Sequence, residues 1–398
     1  MDITIYPAKL QGELKAISSK SQSHRLLICA AFSDAPTTID CTETSEDIEA
    51  TVRCLNAIGA NISRTSSGYQ VLPIQIIPQS VIMDCGESGS TLRFMLPIVC
   101  ALGIDATINL SGRLPFRPLS PLWEELMRMG CTLSKPNDNT IHASGKIRSG
   151  VYKIAGNISS QFISGLLFAL SIMDGDSSIE VTGRLVSAPY VTMTCDVLSL
   201  FGVKSEGFHI CGSFPFHSPG KVFVEGDWSN SAFFLVANAL GNNVTVRNLA
   251  YDSCQGDRAI ADILNHHSNS PIISVKDIPD LMPILSVYFA SHGGVVFSDI
   301  ARLRWKESDR VDSVVKMLHA LGIESSATEN SLTVYSGSFT AGTVNAYNDH
   351  RIAMAAAIAA TVADGPVTIL GAECVTKSYP SFWEEYKRLG GKYEQYIW

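Results

Sequence analysis

The stretch from Ser18 to Arg25 reads Ser-Ser-Lys-Ser-Gln-Ser-His-Arg, and the apolar run Leu26-Leu27-Ile28-Cys29-Ala30-Ala31-Phe32 follows at once. Short hydroxyl side chains ahead of an apolar run mark a helix N-terminus, because Ser accepts from the first free backbone N–H groups. Free N–H groups and the helix dipole both favour negative charge at such an end. Lys20 and Arg25 add two full positive charges close by. The chemistry this suggests is the grip of a phosphate or a carboxylate. The stretch alone reads more simply as a capped helix with solvated basic residues.

Recurrence strengthens the anion reading. Polar loops also precede apolar runs at Glu87-Ser88-Gly89-Ser90, Ser159-Ser160-Gln161, Asp227-Trp228-Ser229-Asn230, Asp277-Ile278-Pro279-Asp280 and Asn348-Asp349-His350. Each run is apolar on nearly all sides, so each predicts a buried helix. Asp280 and Asp349 read on their own as helix caps, Ser159 and Ser160 as plain capping serines, and His350 as a residue that orients its neighbours. The stretch from Arg304 to Arg310 reads on its own as a solvated charged turn.

The elements between these loops form a repeat. A second, amphipathic helix pattern ends in Gly before a strand at Leu55 to Gly59, Leu126 to Gly130, Leu198 to Gly202, Leu318 to Gly322 and Tyr386 to Gly390, and the terminal Gly suits a left-handed C′ position. Ala259 to His267 fills the remaining slot without one. β-rich runs follow the apolar helices at Thr37 to Ile39, Ala106 to Leu110, Ser178 to Val181, Val244 to Val246, Val295 to Phe297 and Val367 to Ile369. The units recur roughly every 55 to 75 residues, a period that marks repeated supersecondary units. Two domains of three units each are expected, with crossings near Ser18 and Glu225 and a ligand-binding cleft between them. The first strand, Ile3 to Pro7, precedes the first loop and is expected to pair with the C-terminal half.

Composition narrows the function. The chain has 398 residues, 46% hydrophobic and only 17% charged, enough for a large core in more than one domain and too little charge for disorder. A formal net charge of -8 disfavours a general nucleic-acid binder. An anionic ligand must therefore be held by a local cluster of Lys and Arg against the overall field. The start Met1-Asp2-Ile3-Thr4 reads as a strand, not a secretory leader, and no apolar run approaches the ~18 residues of a membrane span. The ten cysteines show no C-x-x-C spacing, which predicts packed, reduced thiols in a cytoplasmic protein and no zinc site.

Several motifs, in one order along nearly the whole chain, are similar to those of the 5-enolpyruvylshikimate-3-phosphate synthases. They are Lys20-Ser21 with Arg25, Ser159-Ser160-Gln161, Gln255-Gly256-Asp257, Leu303-Arg304-Trp305-Lys306-Glu307-Ser308-Asp309-Arg310, Asp349-His350-Arg351 and Lys377-Ser378-Tyr379-Pro380. The resemblance implies an α/β (α+β) fold of two domains, each of three βαβαββ repeats, the inside-out α/β barrel of the enolpyruvyl transferases. Residues 1–18 with 227–398 would form one domain and 19–226 the other, with the active site in the cleft between them. It also implies transfer of the enolpyruvyl group of phosphoenolpyruvate to the 5-hydroxyl of shikimate 3-phosphate, with release of phosphate, by addition and elimination through a tetrahedral intermediate. That step belongs to the shikimate pathway towards chorismate and the aromatic amino acids. No metal and no organic cofactor are implied, the partners are two anionic small molecules without nucleic acid or membrane, and a cytoplasmic monomer is expected.

By the same resemblance, shikimate 3-phosphate would meet Lys20, Ser21, Arg25, Ser159, Ser160, Gln161, Ser187, Asp280 and Lys306. Phosphoenolpyruvate would meet Lys20, Gly89, Arg117, Gln161, Arg310, Arg351 and Lys377. The two substrates together carry on the order of six negative charges, which calls for many charge-assisted donors. Asp280 corresponds to the base for the 5-hydroxyl and Glu307 to the carboxyl group that protonates C3 of phosphoenolpyruvate, with Lys20 assisting. A carboxylate among lysines and arginines favours its charged form, so that role for Glu307 requires partial burial or relay through a lysine.

The chain departs from the family pattern in places. Glu87-Ser88-Gly89-Ser90 stands where Asn-Ala-Gly-Thr is common, Phe94 where Pro is frequent, and Arg302 where many members carry an Asn that contacts the phosphate. Loops near Pro136 to Asn139 and His266 to Ser270 read as trimmed. Transfer to UDP-N-acetylglucosamine by the sister enzymes would call for a Cys in the loop before Arg117, but that loop reads Ser111-Gly112-Arg113-Leu114-Pro115-Phe116, and Ser21 stands where those enzymes carry Asn after the first lysine. An RNA 3′-phosphate cyclase would call for a His nucleophile near the C-terminus. A non-catalytic phosphate-binding repeat protein would not need Asp280 and Glu307.

Overall fold

The computed structural model describes residues 1–212, 215–266 and 271–396. The chain divides into two compact units, Ser18–Glu225, and Met1–Ile17 together with Gly226–Trp398. The trimmed loop expected near His266 to Ser270, and the end of the helix slot at His267, lie for the most part outside the described residues.

In the unit Ser18–Glu225 the helices are α1 (Lys20–Ala31), α2 (Glu46–Ala57), α3 (Gly89–Leu102), α4 (Leu122–Arg128), α5 (Ser160–Ser171) and α6 (Ala188–Leu200). Helices α1, α3 and α5 are the apolar runs. Nearly every residue of α3 is buried, from Gly89 to Ala101 apart from Ser90. Three four-stranded sheets surround them. In each, a parallel pair is continued by two antiparallel strands: Lys221–Phe223 beside Thr37–Asp40, Ser80–Asp84 beside Asp105–Asn109, and Val151–Ala155 beside Ser177–Thr182. Parallel strands need a crossover, and α3 and α5 each bridge such a pair.

The other unit repeats the plan with α7 (Trp228–Ala239), α8 (Ala259–Asn265), α9 (Met282–Ala290), α10 (Arg310–Ala320), α11 (His350–Ala359) and α12 (Phe382–Arg388). Two sheets have the four-stranded pattern, with parallel pairs Ile272–Ser274 beside Val295–Ser298 and Gly342–Asn345 beside Val367–Leu370. The N-terminal strand Asp2–Tyr6 lies antiparallel between Val367–Leu370 and Lys392–Tyr396, as expected for a first strand completed by the C-terminal half. Among the described residues the remaining sheet has two strands, Gln11–Lys15 and Asn243–Arg247, so the helix and strand repeat is less regular here than the sequence suggests.

Helix starts follow the capping expectation in five cases. Ser19, Ser88, Ser159, Asp227 and Asp349 each accept from a backbone N–H of the first turn. The sixth corrects it: α9 begins at Met282, Leu281 occupies the cap position without a side-chain bond, and Asp280 is not a cap. The second set of helices ends as predicted, with positive φ at Gly59, Gly130, Gly202, Gly322 and Gly390. Cys29, Cys41, Cys54, Cys85, Cys100, Cys131 and Cys374 are buried thiols outside any disulfide. No described helix is long and apolar enough to cross a membrane.

Candidate active site

In the unit Ser18–Glu225 a chain of polar contacts ties the N-terminal ends of four helices together. Lys20 opens α1, and its Nζ lies 2.6 Å from Oδ2 of Asp47 in the first turn of α2. The Asp47 carbonyl lies 3.3 Å from Thr91 Oγ1 in the first turn of α3. Thr91 Oγ1 is also 2.7 Å from the capping Ser88 Oγ and 2.7 Å from Thr51 Oγ1, which in turn meets His24 Nδ1 at 2.7 Å. Burial holds the His24 imidazole well below its usual range, and Lys20 and Arg25 push the same way, so this ring is neutral near pH 7.

From α3 the contacts run on to α5. Ser90 Oγ accepts from Gln161 Nε2 at 2.8 Å, and Gln161 Oε1 accepts from Arg93 Nη1 at 3.0 Å. A Cβ on Gly89 would stand 2.7 Å from Arg117 Nη1 and 2.7 Å from Arg93 Nη1. Gly89 therefore lets two guanidiniums close over the start of α3, a place any side chain would fill. Ser159 caps α5, and Ser160 is buried as its first residue. Ser187 precedes α6 in a left-handed conformation, φ 52°, which a residue with a Cβ adopts only under constraint.

Arg25 points inward. Its Nε donates to Thr194 Oγ1 at 2.8 Å, Nη1 to the Ser21 carbonyl at 2.6 Å and Nη2 to the Tyr190 carbonyl at 2.8 Å, and its guanidinium carbon lies 5.2 Å from the Phe94 ring centroid. Phe94, unexpected against the family pattern, thus supplies an aromatic face to a buried cation.

In the unit of Met1–Ile17 and Gly226–Trp398 the centre is Arg310, the first residue of α10, with 1% of its side chain exposed. Nη1 donates to Asp280 Oδ1 at 2.6 Å, Nη2 to Glu307 Oε2 at 2.6 Å and Nε to Asp349 Oδ2 at 3.0 Å. The fully buried Asp349 also caps α11 and accepts from Ser308 Oγ at 3.1 Å. Arg351 Nη2 donates to Asp280 Oδ2 at 3.2 Å, and Lys306 Nζ stands 3.6 Å from Asp280 Oδ1. Lys377 Nζ donates to the Asn348 carbonyl at 2.9 Å, and the neighbouring Ser378 Oγ donates to Asn230 Oδ1 near the start of α7 at 3.3 Å. The solvated-turn reading of Arg304 to Arg310 fails at Arg310, which is buried among three carboxylates, while Arg304, Trp305 and Asp309 keep about a third or more of their side chains accessible.

These contacts set the charges. Burial by itself would raise the Asp280 carboxyl, but Arg351, Lys306 and Arg310 together outweigh it and hold the group well below the usual carboxylate range. About a fifth of the Asp280 and Lys306 side chains remains accessible, so solvent softens these fields without abolishing them. Burial pushes the Lys306 ammonium down to about 8, with Arg310 adding to the effect and Asp280 and Glu307 opposing it. Against its own burial, Arg310 is raised by Asp349, Glu307 and Asp280. One nitrogen of Arg351, Nη1, is buried with no hydrogen-bond partner among the described residues.

Sequence reasoning did not single out Arg93 or Asp47. Arg93 lies one helical turn after Gly89 and so on the same face, a signal hidden by the apolar run around it. Asp47 lies 27 residues from Lys20, and no local spacing announces the pair. Arg302, which departs from the family pattern, donates Nη2 to the Lys276 carbonyl.

The family profile described as EPSP synthase (3-phosphoshikimate 1-carboxyvinyltransferase) matches residues 5–386. A 3-phosphoshikimate 1-carboxyvinyltransferase of Clostridium kluyveri is 37% identical over 99% of this chain and 98% of its own length. One of Clostridium acetobutylicum is 38% identical over 98% of this chain and 97% of its own. Among solved structures, an EPSP synthase of Acinetobacter baumannii superposes with a TM-score of 0.79 at 23% identity, covering 99% of this chain and 100% of its own. The enolpyruvyl transferase NikO of Streptomyces tendae superposes with a TM-score of 0.78 at 16% identity, covering 99% of this chain and 98% of its own; at such identities both share the fold. With a profile matched over almost its whole length and full-length relatives above a third identical, this chain belongs to the EPSP synthase family.

Proposed function

We propose that the chain transfers the enolpyruvyl group of phosphoenolpyruvate to the 5-hydroxyl of shikimate 3-phosphate and releases phosphate, a step of the shikimate pathway. The observation that carries the reading is the Arg310 cluster, where one buried guanidinium holds the Asp280 and Glu307 carboxylates, each at 2.6 Å, beside Lys306 and Arg351. A plain anion-binding protein gains nothing from two carboxylates in such a place; a reaction that removes one proton and adds another does.

Shikimate 3-phosphate is held in this reading by Lys20, Ser21, Ser159, Ser160, Gln161, Ser187, Asp280 and Lys306, with Arg25 contributing charge from below Ser21. Phosphoenolpyruvate is held by Lys20, the Gly89 backbone, Arg117, Gln161, Arg310, Arg351 and Lys377. Asp280 takes the proton of the 5-hydroxyl as its oxygen bonds to C2 of phosphoenolpyruvate, and the Lys20 ammonium supplies the proton that the Glu307 carboxylate relays to C3. The tetrahedral adduct then loses phosphate from C2 as C3 returns its proton, which restores the double bond. A carboxylate as depressed as Asp280 is a weak base in the free protein. When Arg310, Arg351 and Lys306 turn to the anionic substrates, that compensation weakens and Asp280 gains basicity, so substrate binding itself prepares the base.

The two clusters lie on different units, and the reading has both serve one reaction. Each unit is then three βαβαββ repeats forming an inside-out α/β barrel. A cytoplasmic monomer without metal or organic cofactor is part of the same reading. It is tested by mixing purified protein with both substrates in chelator-treated buffer and following phosphate release together with the enolpyruvyl ether by NMR. Absence of turnover by a folded sample overturns it, as does turnover with UDP-N-acetylglucosamine in place of shikimate 3-phosphate.

A further inference from the structure

We infer that Arg93 is a positioning residue that fixes the phosphoenolpyruvate side of the site, an inference that rests on the function proposed above. Arg93 is 3% exposed and points back along α3 towards its start. Its Nη1 donates to the Gly89 carbonyl at 3.4 Å and to Gln161 Oε1 at 3.0 Å, while Nη2 donates to the Pro118 carbonyl at 3.1 Å. One planar fork thus ties the first residue of its own helix α3 to two other pieces of chain, the residue after Arg117 and the first turn of α5.

Two further contacts support the arrangement. Gly165 lets α5 press on the backbone of α3, where a Cβ would stand 2.1 Å from the Arg93 carbonyl. The Arg93 guanidinium carbon lies 5.6 Å from the Phe162 ring centroid, so the fork is backed by an aromatic side chain of α5. The three acceptors named are uncharged oxygens. Gln161 is held at both ends of its amide, by Arg93 at Oε1 and by Ser90 at Nε2, which sets which way the amide faces. The Pro118 carbonyl that Arg93 holds belongs to the residue after Arg117. Lys at position 93 keeps a charge but loses the fixed fork that reaches all three acceptors.

The test is Arg93→Lys in the full chain, with KM measured for each substrate, kcat and thermal unfolding. The expected result is KM for phosphoenolpyruvate raised about tenfold, KM for shikimate 3-phosphate within about twofold, kcat within about threefold and an unchanged unfolding midpoint. In Arg93→Ala, added guanidinium ion at tens of millimolar, on the order of chemical-rescue concentrations, should recover part of the affinity for phosphoenolpyruvate alone. In a double-mutant cycle the Lys substitution should cost less when Gln161 is already Ala. Should Arg93→Lys fail to fold, Gly89→Ala, whose methyl would stand 2.7 Å from Arg93 Nη1, displaces the same fork and should show the same split between substrates. Equal increases in both KM values, or none, in an active and folded variant overturn the inference and leave Arg93 a helix clip. A wild-type protein without turnover overturns the synthase reading and this inference with it.

Discussion

Arg310 Nη1 and Arg351 Nη2 hold opposite oxygens of the Asp280 carboxylate, Oδ1 at 2.6 Å and Oδ2 at 3.2 Å, so the first residue of α10 and the second of α11 fix one carboxylate between them. Its plane is set before any substrate arrives. Asp280→Asn keeps the shape and removes the basicity. The expected outcome is kcat lower by at least ~100-fold, the usual weight of a general base, with the affinity for shikimate 3-phosphate changed only a few-fold. Steady-state kinetics and calorimetric titration of shikimate 3-phosphate check this, and a kcat within tenfold of wild type would remove Asp280 from the role.

Lys306 gives the pH dependence a direction. Its ammonium, lowered by burial to about 8, must be charged to hold a phosphate. The kcat/KM for shikimate 3-phosphate should fall as pH rises through that value, and Lys306→Arg should carry the alkaline limb upward because guanidinium stays protonated. Stability runs the other way. A lysine whose folded value lies below its unfolded one penalises the fold while charged, so the penalty is relieved as pH climbs from about 8 towards 10.5. A pH–rate profile with the same alkaline limb in Lys306→Arg would sink the assignment.

The ends of the buried helices were largely legible because a cap is local. Ser19, Ser88, Ser159, Asp227 and Asp349 bond to N–H groups two or three residues away, and the chain spells both partners side by side. Asp280 has the same local spelling and does something else. Its partners lie 30 and 71 residues on, and three cations attract a carboxylate more than a helix end does. Asp349 shows that one group can do both, capping α11 while neutralising Arg310. The pairing of Lys20 with Asp47 and the reach of Arg93 to Pro118 depend on how helices pack, and a single sequence carries no local mark of that.

Arg25 separates structural from binding roles. It donates to Thr194 Oγ1, the Ser21 carbonyl, the Tyr190 carbonyl and Ser164 Oγ, contacts that tie α1 to α5 and α6 inside one unit. Removing the side chain strands buried acceptors and empties the space against Phe94. Arg25→Ala should therefore cost about 3 kcal/mol or more of stability, the scale of breaking several charge-assisted bonds in a core. Thermal and denaturant unfolding of the variant measure it. A variant as stable as wild type that fails only in shikimate 3-phosphate binding would show that Arg25 acts on the ligand instead.

Gly89→Ala isolates the guanidinium pair above α3. The new methyl would stand 2.7 Å from Arg117 Nη1, 2.7 Å from Arg93 Nη1 and 2.9 Å from Arg117 Cζ, all ends of flexible side chains. The backbone has no reason to move, and Ala is the better helix former by about 1 kcal/mol, so the unfolding midpoint should hold or rise slightly. The guanidiniums must give way, and with them the donors assigned to phosphoenolpyruvate. KM for phosphoenolpyruvate should rise about tenfold, the equivalent of losing one charge-assisted bond, while KM for shikimate 3-phosphate stays within about twofold. Steady-state kinetics with each substrate varied in turn read the split. A variant with both constants at their wild-type values would mean that Arg117 and Arg93 can step aside at no cost, and that the closeness of Gly89 to them is a matter of packing alone.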